Sequence, residues 1–393
     1  MPHAPTAPSA SPRPRSGRGA GVRAEARRVE ASACGCNPHP SPSPAGRERG
    51  RLHLGLAGQA WLSPFLLLPA TAFPQSAPQD ALSPAGPQAA RVFELGQLFF
   101  WTCSAVLVLV VLATLWALWR APKADARTPA PGNVPPEPGR RRAVNVALGL
   151  SIVGLLLLIA ASVFTDRALA RLPLQGAVHI ELIGHQWWWE ARYDDPDPSR
   201  VFTTANELHI PVGRPVILTL KGQDVIHSLW LPNLGGKKDL IPGRTATLTL
   251  QADRPGTYRG QCAEFCGLQH AWMALLVVAQ DPVGFDAWAE AQRQPASAPT
   301  DALRLRGQAV FMGSTCAMCH AIQGTDANGN QAPALTHVGS RRTLGAGRMP
   351  NDAQRLAAWI TNPQDFKPGT NMPAHAFSQD DLQALVAYLQ GLK

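Results

Sequence analysis

In the segment Gln261-Cys262-Ala263-Glu264-Phe265-Cys266-Gly267-Leu268-Gln269-His270-Ala271-Trp272-Met273, two thiols, an imidazole and a thioether fall within twelve residues. Soft sulfur ligands and imidazoles suit copper, and a blue-copper site for one ion uses one Cys, two His and a weak axial Met. Here Cys262 and Cys266 stand four positions apart, so two thiolates can bridge a pair of metal ions. A structural disulfide would leave His270 and Met273 unexplained, and structural zinc sites use Cys and His without Met. The pattern therefore favours a copper site.

The copper loop, residues 262–273, supplies only one imidazole, so another part of the chain must provide a second. The best candidate is His227 in Asp224-Val225-Ile226-His227-Ser228, which lies 35 positions before Cys262 at the end of a predicted strand. A lone His is usually a surface or core residue, but the incomplete ligand set favours metal binding here. Glu264 is either a solvated loop carboxylate or a residue whose backbone carbonyl faces the metal pair.

A second motif, Cys316-Ala317-Met318-Cys319-His320, has the spacing that attaches a c-type haem covalently. Cys316 and Cys319 would form the thioethers, and His320 would be the proximal axial ligand of the iron. A zinc site or a redox-active Cys pair is the alternative, but the adjacent His favours haem. For the sixth ligand we predict Met372 over its competitor Met349, because Met372-Pro373 before a terminal amphipathic helix resembles class I cytochromes c.

The segments around the copper loop have the pattern of a β domain. Short apolar stretches with β-branched residues predict strands over Val178–Ile183, Val216–Leu220, Thr245–Leu250 and Leu275–Val278. Turn signals such as Arg254-Pro255-Gly256 separate them. Several short strands at this spacing predict a β-sandwich or Greek-key barrel over residues 177–280, with the copper loop between the last two strands.

Beyond this β domain the pattern becomes helical. Residues 281–299 predict a helix that follows Asp281-Pro282, and then a Pro/Ala/Ser-rich linker over residues 295–299. Residues 300–393 predict an all-α domain, whose final segment repeats apolar residues at helical spacing from Leu382 to Leu389.

Two uncharged runs of 22 residues, 98–119 and 143–164, are each long enough to cross a bilayer as a helix. The loop between them carries Arg120, Lys123, Arg127 and Arg140-Arg141-Arg142, and the positive-inside rule places this loop in the cytoplasm. We therefore predict a transmembrane hairpin within residues 73–164 in a bacterial inner membrane. Both folded domains that follow would lie on the periplasmic or extracellular face.

The net charge of +9 is unevenly distributed. Residues 1–51 hold nine Arg against three Glu, residues 120–142 hold six basic against two acidic residues, and residues 165–393 hold twenty of each. The basic excess thus belongs to targeting and membrane topology. No nucleic-acid partner is predicted, since that would need a basic patch on a folded domain.

The N-terminal region predicts two segments that lie outside the folded domains. Residues 1–51 predict a disordered extension, because they carry too little apolar surface to offset the entropy lost on ordering. Residues 52–72 combine a basic flank, a short apolar core and a final Ala-Thr-Ala, the three parts of a secretory signal peptide. We favour cleavage after Ala72 over a retained segment, because the run is short for a membrane span and contains Pro64.

Taken together, these features resemble subunit II of the haem–copper cytochrome c oxidases. The matching segments are Gly184-His185-Gln186-Trp187-Trp188-Trp189, residues 224–228, Asp239-Leu240-Ile241-Pro242-Gly243-Arg244 and the copper loop, and the match runs from about Val92 to Val278. The resemblance implies a cupredoxin fold that carries the dinuclear copper A centre. It implies that the ligands are the bridging Cys262 and Cys266, with His227, His270, Met273 and the carbonyl of Glu264.

The same resemblance implies further roles for single residues. In this family the carboxylate matching Glu264 also binds a magnesium ion shared with subunit I, and the residue matching Trp187 is the point where electrons enter from cytochrome c. Packing of a strand against the membrane surface is the alternative role for residues 187–189, and we expect it for at least one of them. Pro333 matches the proline whose carbonyl orients the proximal His of cytochromes c.

A cytochrome c domain fused after subunit II resembles the caa3-type oxidases. This resemblance implies that electrons pass from an external donor such as cytochrome c to the tethered haem c, then to copper A and then to haem a of subunit I. Oxygen would be reduced to water there, with proton pumping, so this chain would be the electron-input subunit of a cytochrome c oxidase. A tethered haem has a high effective concentration at the copper centre, which favours this order.

One segment departs from the pattern of this family. The family commonly has a Glu near the start of the second membrane helix, whereas Arg142-Ala143-Val144-Asn145-Val146 contains no acid.

A nitrous oxide or nitric oxide reductase component can carry a similar copper loop, but the former needs a propeller domain that this length does not hold. A membrane-tethered electron carrier without an oxidase partner is the third hypothesis, and the membrane hairpin argues for docking on a catalytic subunit.

Overall fold

The computed structural model describes residues 79–121 and 138–393. The predicted disordered extension and signal peptide lie outside the described residues, as does most of the loop between the two membrane helices. The described residues contain two long helices, a domain of two β-sheets and a C-terminal helical domain.

The two long helices are α1, Pro87–Arg120, and α2, Pro138–Ala170. Each contains a strongly apolar window, with mean hydropathies of 2.5 and 2.6, and the side chains of these windows are exposed. Helices of this length and composition can cross a membrane, and an apolar surface of this kind suits lipid rather than water. Both helices extend beyond the predicted 22-residue spans, because their polar flanks remain helical.

The β domain consists of two five-stranded sheets. Its strands are β1 Val178–His185, β2 Trp188–Asp194, β3 Phe202–Ala205, β4 Glu207–Pro211, β5 Val216–Gly222, β6 His227–Trp230, β7 Lys237–Leu240, β8 Ala246–Leu250, β9 Gly256–Cys262 and β10 Ala274–Gln280. The strand orders are β3-β2-β1-β5-β8 and β4-β10-β9-β6-β7. Only β1 with β5 and β4 with β10 pair in parallel among these strands.

Alternating burial explains why these segments pack as a sandwich. In β1, Ile180 and Leu182 are fully buried, and in β5 Leu218 and Leu220 point into the same core. Residues of period two share one face of a strand, so each sheet presents an apolar face to the other. The predicted cupredoxin-like β architecture is confirmed.

The C-terminal region is helical, as predicted. Its helices are α3 Pro282–Arg293, α4 Ala302–Gly313, α5 Cys316–Cys319, α6 Ala353–Thr361 and α7 Gln379–Gly391. A small pair of strands, β11 Thr343–Leu344 and β12 Met349–Pro350, lies between α5 and α6 in the chain. Asp301, Asp352 and Ser378 cap the N-termini of α4, α6 and α7 through their side chains. Helix α4 crosses α7 closely, since a Cβ on Gly307 would lie 2.0 Å from the oxygen of Ala384.

The observed β domain has more strands than the four segments predicted from the sequence, and β2, β3, β4, β7 and β9 are among those not predicted. Strand β9 was not predicted, because Gly256-Thr257-Tyr258-Arg259-Gly260-Gln261-Cys262 lacks the apolar alternation of a half-buried strand. The copper loop therefore connects β9 to β10, and Cys262 is the last residue of β9. His227 begins β6 instead of ending a strand.

Candidate functional site

The centre of the site is formed by one imidazole and two thiols. The Sγ atoms of Cys262 and Cys266 are 3.8 Å apart, and the Nδ1 atom of His227 lies 3.9 Å from the Sγ of Cys262. All three side chains are buried, and their ligand atoms lie within 4.8 Å of one another. His227 and Cys262 come from adjacent strands, because β6 pairs with β9.

The remaining candidate ligands surround this centre. The Nδ1 of His270 is 3.7 Å from the Sγ of Cys266, and the Sδ of Met273 is 3.9 Å from the same sulfur. The carbonyl oxygen of Glu264 lies 3.2 Å from the Sγ of Cys262. All six sequence-predicted donors are thus brought together, and the Glu264 side chain is exposed.

Main-chain contacts close the copper loop on itself. The N–H of Cys262 donates to the oxygen of Met273 over 2.9 Å, so the first and last candidate ligands are held side by side. Gly267, with a φ of 107°, allows the turn between them. A loop closed by its flanking strands provides a rigid frame for a metal centre.

The thiol pair and His227 perturb one another. The contact with Cys266 lowers the pKa of Cys262, so a thiolate forms there first, and the same contact raises the pKa of Cys266. Burial acts to lower the pKa of His227, but its contacts with Cys262 and Asp224 outweigh burial and raise it. Thiolate is the form of Cys that binds metal ions.

Asp224 fixes the orientation of the His227 ring. The Nε2–H of His227 donates to Oδ1 of Asp224 over 2.8 Å, which leaves Nδ1 unprotonated and facing the thiols. Gly184 gives the ring room, since a Cβ there would lie 2.9 Å from Cδ2 of His227. Trp189 is fully buried with its ring centroid 6.2 Å from that of His227.

Trp187 contacts the copper loop directly. Its indole Nε1–H donates to the carbonyl oxygen of Cys266 over 2.8 Å, and Nε2 of Gln186 donates to the same oxygen over 2.8 Å. Trp187 is 8% exposed. The other two tryptophans of this segment have different neighbours: Trp188 stacks on His185, and Trp189 lies beside the ring of His227.

The second candidate site is a cavity of about 360 Å³ above the Cys316–His320 motif. The residues that line it include Cys316, Cys319 and His320. The Nδ1–H of His320 donates to the carbonyl oxygen of Pro333 over 2.7 Å, so Nε2 is the nitrogen left to bind a metal ion. Burial lowers the pKa of His320, which keeps the imidazole neutral.

The two candidate methionines occupy different places. Met372 lines the cavity, on the segment that follows Lys367. Met349 lies in β12 and is 6% exposed within the apolar core of the haem domain, residues 302–393. A ligand for an iron in the cavity would therefore come from Met372.

The cavity also contains a polar group that sequence reasoning missed. Arg341 lines it, and the Nε of Arg341 is buried with no hydrogen-bond partner among the residues that the structure describes. Burial lowers the pKa of this guanidinium to about 10, which leaves it charged at neutral pH. A haem bears acidic propionates, so the thiol pair, the imidazole, the thioether and this guanidinium together fit a haem.

The haem domain packs on the copper loop. The guanidinium of Arg348 lies 3.9 Å from the ring centroid of Trp272, and Nδ2 of Asn371 donates to the oxygen of Gln186 over 3.1 Å. Trp187 and Trp188 line the same cavity as the haem motif. No periodicity signals these contacts, because they join residues far apart in sequence.

The donor set at the copper loop fits a pair of copper ions. Two thiolates at bridging distance, two Nδ1 atoms and one thioether are soft and borderline ligands, which copper prefers. Thioether sulfur is not a ligand of structural zinc sites. The structure therefore brings together a metal centre and a haem pocket that share Trp187 as a common neighbour.

Comparison with known proteins supports both domains. The family model for the periplasmic domain of cytochrome c oxidase subunit II matches residues 195–280, and the family model for cytochrome c matches residues 305–393. The crystal structure of the periplasmic domain of subunit II of cytochrome oxidase from Bradyrhizobium japonicum is 31% identical, with a TM-score of 0.29. Its alignment covers 31% of this chain and 97% of that one.

Two relatives are similar over longer stretches. Cytochrome c oxidase subunit 2 of Alkalihalophilus pseudofirmus is 34% identical over 322 residues, which cover 80% of this chain and 90% of that protein. Cytochrome c oxidase subunit 2 of Bacillus sp. (strain PS3) is 31% identical over 264 residues, which cover 62% of this chain and 72% of that protein.

Proposed function

Because this chain belongs to the cytochrome c oxidase subunit 2 family and carries a C-terminal cytochrome c domain, we propose that it is the electron-input subunit of a terminal oxidase. Its partners would be subunit I, where oxygen is reduced to water with proton pumping, and an external donor such as cytochrome c. When bound, the copper pair and the haem c supply reversible one-electron transfer.

The copper loop would hold two copper ions. Cys262 and Cys266, whose Sγ atoms are 3.8 Å apart, would hold both ions through their thiolates. The outer ligands would be His227, His270, Met273 and the carbonyl oxygen of Glu264, whose atoms lie 3.2 to 3.9 Å from the two sulfurs. Asp224 would keep the Nδ1 of His227 available by accepting a hydrogen bond from the Nε2–H.

The haem domain would hold one haem c. Cys316 and Cys319 would attach it covalently, and His320 and Met372 would bind its iron, since all four residues line the cavity. Pro333 supports this assignment by fixing which nitrogen of His320 carries the proton. Burial of the His320 imidazole lowers its pKa, which favours the neutral form that an iron ligand requires.

The observation that carries the proposal is the double role of Trp187. Trp187 lines the haem cavity, and its indole donates a hydrogen bond to the carbonyl oxygen of Cys266, a candidate copper ligand. A residue that touches both sites is placed to conduct electrons between them. Trp187 would therefore be the electron-input residue of the copper centre, and its donor would be the tethered haem.

The chain would be anchored in a bacterial inner membrane by α1 and α2, with both folded domains on the periplasmic or extracellular face. The two apolar helices support the anchoring. Glu264 is exposed next to the thiols, which suits a carboxylate that binds a magnesium ion shared with subunit I. Exposed Phe265, at 76%, would lie against the same partner.

Purification of the complex from membranes tests this function. We expect co-purification with a large multi-span haem protein, and optical and EPR spectra that show copper A, haem c and haem a together. Isolation of the chain alone, with copper and haem c but without a haem a subunit, would instead identify a membrane-tethered electron carrier.

A further inference from the structure

A buried lysine joins the haem domain to the β domain. Lys367 is 2% exposed, and its Nζ donates hydrogen bonds to the main-chain oxygens of Trp187, at 2.9 Å, and Gly345, at 3.2 Å. The first acceptor belongs to the β domain and the second to the haem domain. Burial of a lysine is costly unless its N–H groups are bonded, so these two carbonyls fix its place.

The segment after Lys367 packs against the copper loop. We call residues 367–371 the latch turn. Gly369 has a φ of 85°, a conformation that favours glycine, and a Cβ there would lie 2.7 Å from Cδ1 of Leu268. Gln269, which precedes a candidate copper ligand, is buried and donates through Nε2 to the oxygen of Pro368. The latch turn therefore contacts the copper loop through both side chains and main chain.

The amine of Lys367 suits this contact between the two domains. Burial lowers the pKa of Lys367 to about 7, and its charged or titratable neighbours are the thiol of Cys266 and the guanidinium of Arg348. A neutral amine has two N–H groups, which match the two carbonyl acceptors. Both acceptors are main-chain atoms, so the contact fixes the backbone of Trp187 itself.

We propose that Lys367 is a positioning residue that holds the latch turn on the β domain and thereby closes Trp187 to soluble donor proteins. Trp187 is 8% exposed and lines the haem cavity, so it is approached from the haem side. The role given to Trp187 rests on the proposed function, whereas the docking contact of Lys367 does not.

Amine labelling of the unmodified full chain tests the docking contact directly. Lys237, Lys238 and Lys393 are exposed and serve as internal references. We expect an amine-reactive ester to modify Lys367 about a hundredfold more slowly than Lys393, since labelling requires the domains to separate. Slow labelling of Lys367 is expected because its side chain is only 2% exposed. Equal rates at Lys367 and Lys393 would overturn the proposal.

Variants then test the positioning role in the full-length oxidase. In Lys367→Met, we expect hydrogen exchange of the main-chain amides of residues 186–189 to rise about tenfold, because two buried hydrogen bonds are lost. We also expect electron transfer from haem to copper to slow about tenfold in molecules whose haem spectrum is unchanged. Lys393→Met, an exposed control, should change neither quantity.

The outcomes separate this proposal from the proposed function. Unchanged exchange together with unchanged transfer in Lys367→Met would overturn the positioning role. Absence of haem-to-copper transfer in the wild-type oxidase would contradict the proposed function, while the labelling and exchange results would still test the latch. Loss of folded Lys367→Met would leave the labelling experiment to decide.

Discussion

The indole Nε1–H of Trp187 donates a hydrogen bond of 2.8 Å to the carbonyl oxygen of Cys266. Trp187 also lines the cavity above the haem motif, so one residue touches both candidate redox sites. Its main-chain oxygen accepts a hydrogen bond from Lys367 of the haem domain. These contacts place the haem domain against the copper loop, as the proposed transfer from haem to copper requires.

Removal of the Trp187 hydrogen bond should slow electron input without loss of copper. In Trp187→Phe, we expect the rate of copper reduction to fall about tenfold to a hundredfold, because the hydrogen bond to the carbonyl oxygen of Cys266 is lost and the ring is no longer held in place. Stopped-flow absorbance of the purified oxidase measures this rate. Trp288→Phe, a matched change in α3, should leave it unaltered. Equal rates in Trp187→Phe and wild type would remove Trp187 from the route.

The thiol pair should be essential for copper. In Cys262→Ser and Cys266→Ser, we expect loss of bound copper and of the copper EPR signal, because a hydroxyl is a poor substitute for a bridging thiolate. Elemental analysis per haem measures this loss. Cys103→Ser removes an exposed thiol in α1 and should retain full copper. Full copper in either loop variant would contradict the bridging role.

Asp224 should strengthen copper binding through His227. In Asp224→Asn, we expect copper affinity to fall about 10–100-fold, because the carboxylate that fixes the His227 ring is lost. Competition with a chelator measures this affinity. Asp197→Asn, on the surface, is the control. An unchanged affinity in Asp224→Asn would show that the ring is fixed by Gly184 and Trp189 alone.

The two candidate iron ligands, Met372 and Met349, should respond differently to substitution. Met372→Ala should abolish the thioether-to-iron absorption band, because Met372 lines the cavity. Met349→Ala should retain the band and lower the free energy of unfolding by about 2–5 kcal/mol, because a buried core side chain is deleted. The opposite pattern of absorption would transfer the ligand role to Met349.

Acid should weaken the contact between the two domains through Glu207. Oε2 of Glu207 accepts a hydrogen bond of 3.0 Å from the N–H of Arg342 in the haem domain. Burial acts to raise the pKa of this carboxyl, but bonds from His209 and Arg342 outweigh burial, so its pKa lies below the ordinary 4.5. A carboxyl with a lowered folded-state pKa stabilises the folded state above about pH 4.5, and this stabilisation is lost as pH falls through the folded-state value.

The variant Glu207→Gln tests that contribution. We expect its melting temperature at pH 7 to be lower than that of the wild type, equivalent to about 1–3 kcal/mol for a hydrogen bond to a charged group. Below pH 4.5 the two melting temperatures should converge, because the wild-type carboxyl becomes protonated. Calorimetry of the full chain in detergent measures both. Parallel curves from pH 7 to pH 3 would show that Glu207 does not carry the acid response.

The grouping of the candidate copper ligands was predictable because most of them are local. Cys262, Cys266, His270 and Met273 lie within one loop, and the missing imidazole pointed to His227. The apolar periodicity of the β domain and the spacing of the haem motif predicted the fold class for the same reason, because each is a pattern of residues close together in the sequence. Strand β9 was missed because Gly256 and Gly260 interrupt its apolar pattern.

The docking of the two domains was not predictable from the sequence. Lys367 and the oxygen of Trp187 are separated by 180 positions, and the acceptor is a main-chain atom that leaves no trace in residue type. Arg341 likewise looks like an ordinary surface cation until the fold places it at the cavity. Contacts of this kind arise from tertiary packing, which local periodicity does not encode.

The most direct test of the whole account is the order of reduction in the intact oxidase. Stopped-flow mixing with reduced cytochrome c should show reduction of haem c first and of copper A second, and a His320 variant should reduce copper far more slowly than the wild type. Copper reduction at the normal rate in the His320 variant would contradict the account, because electrons would then reach the copper loop without the tethered haem.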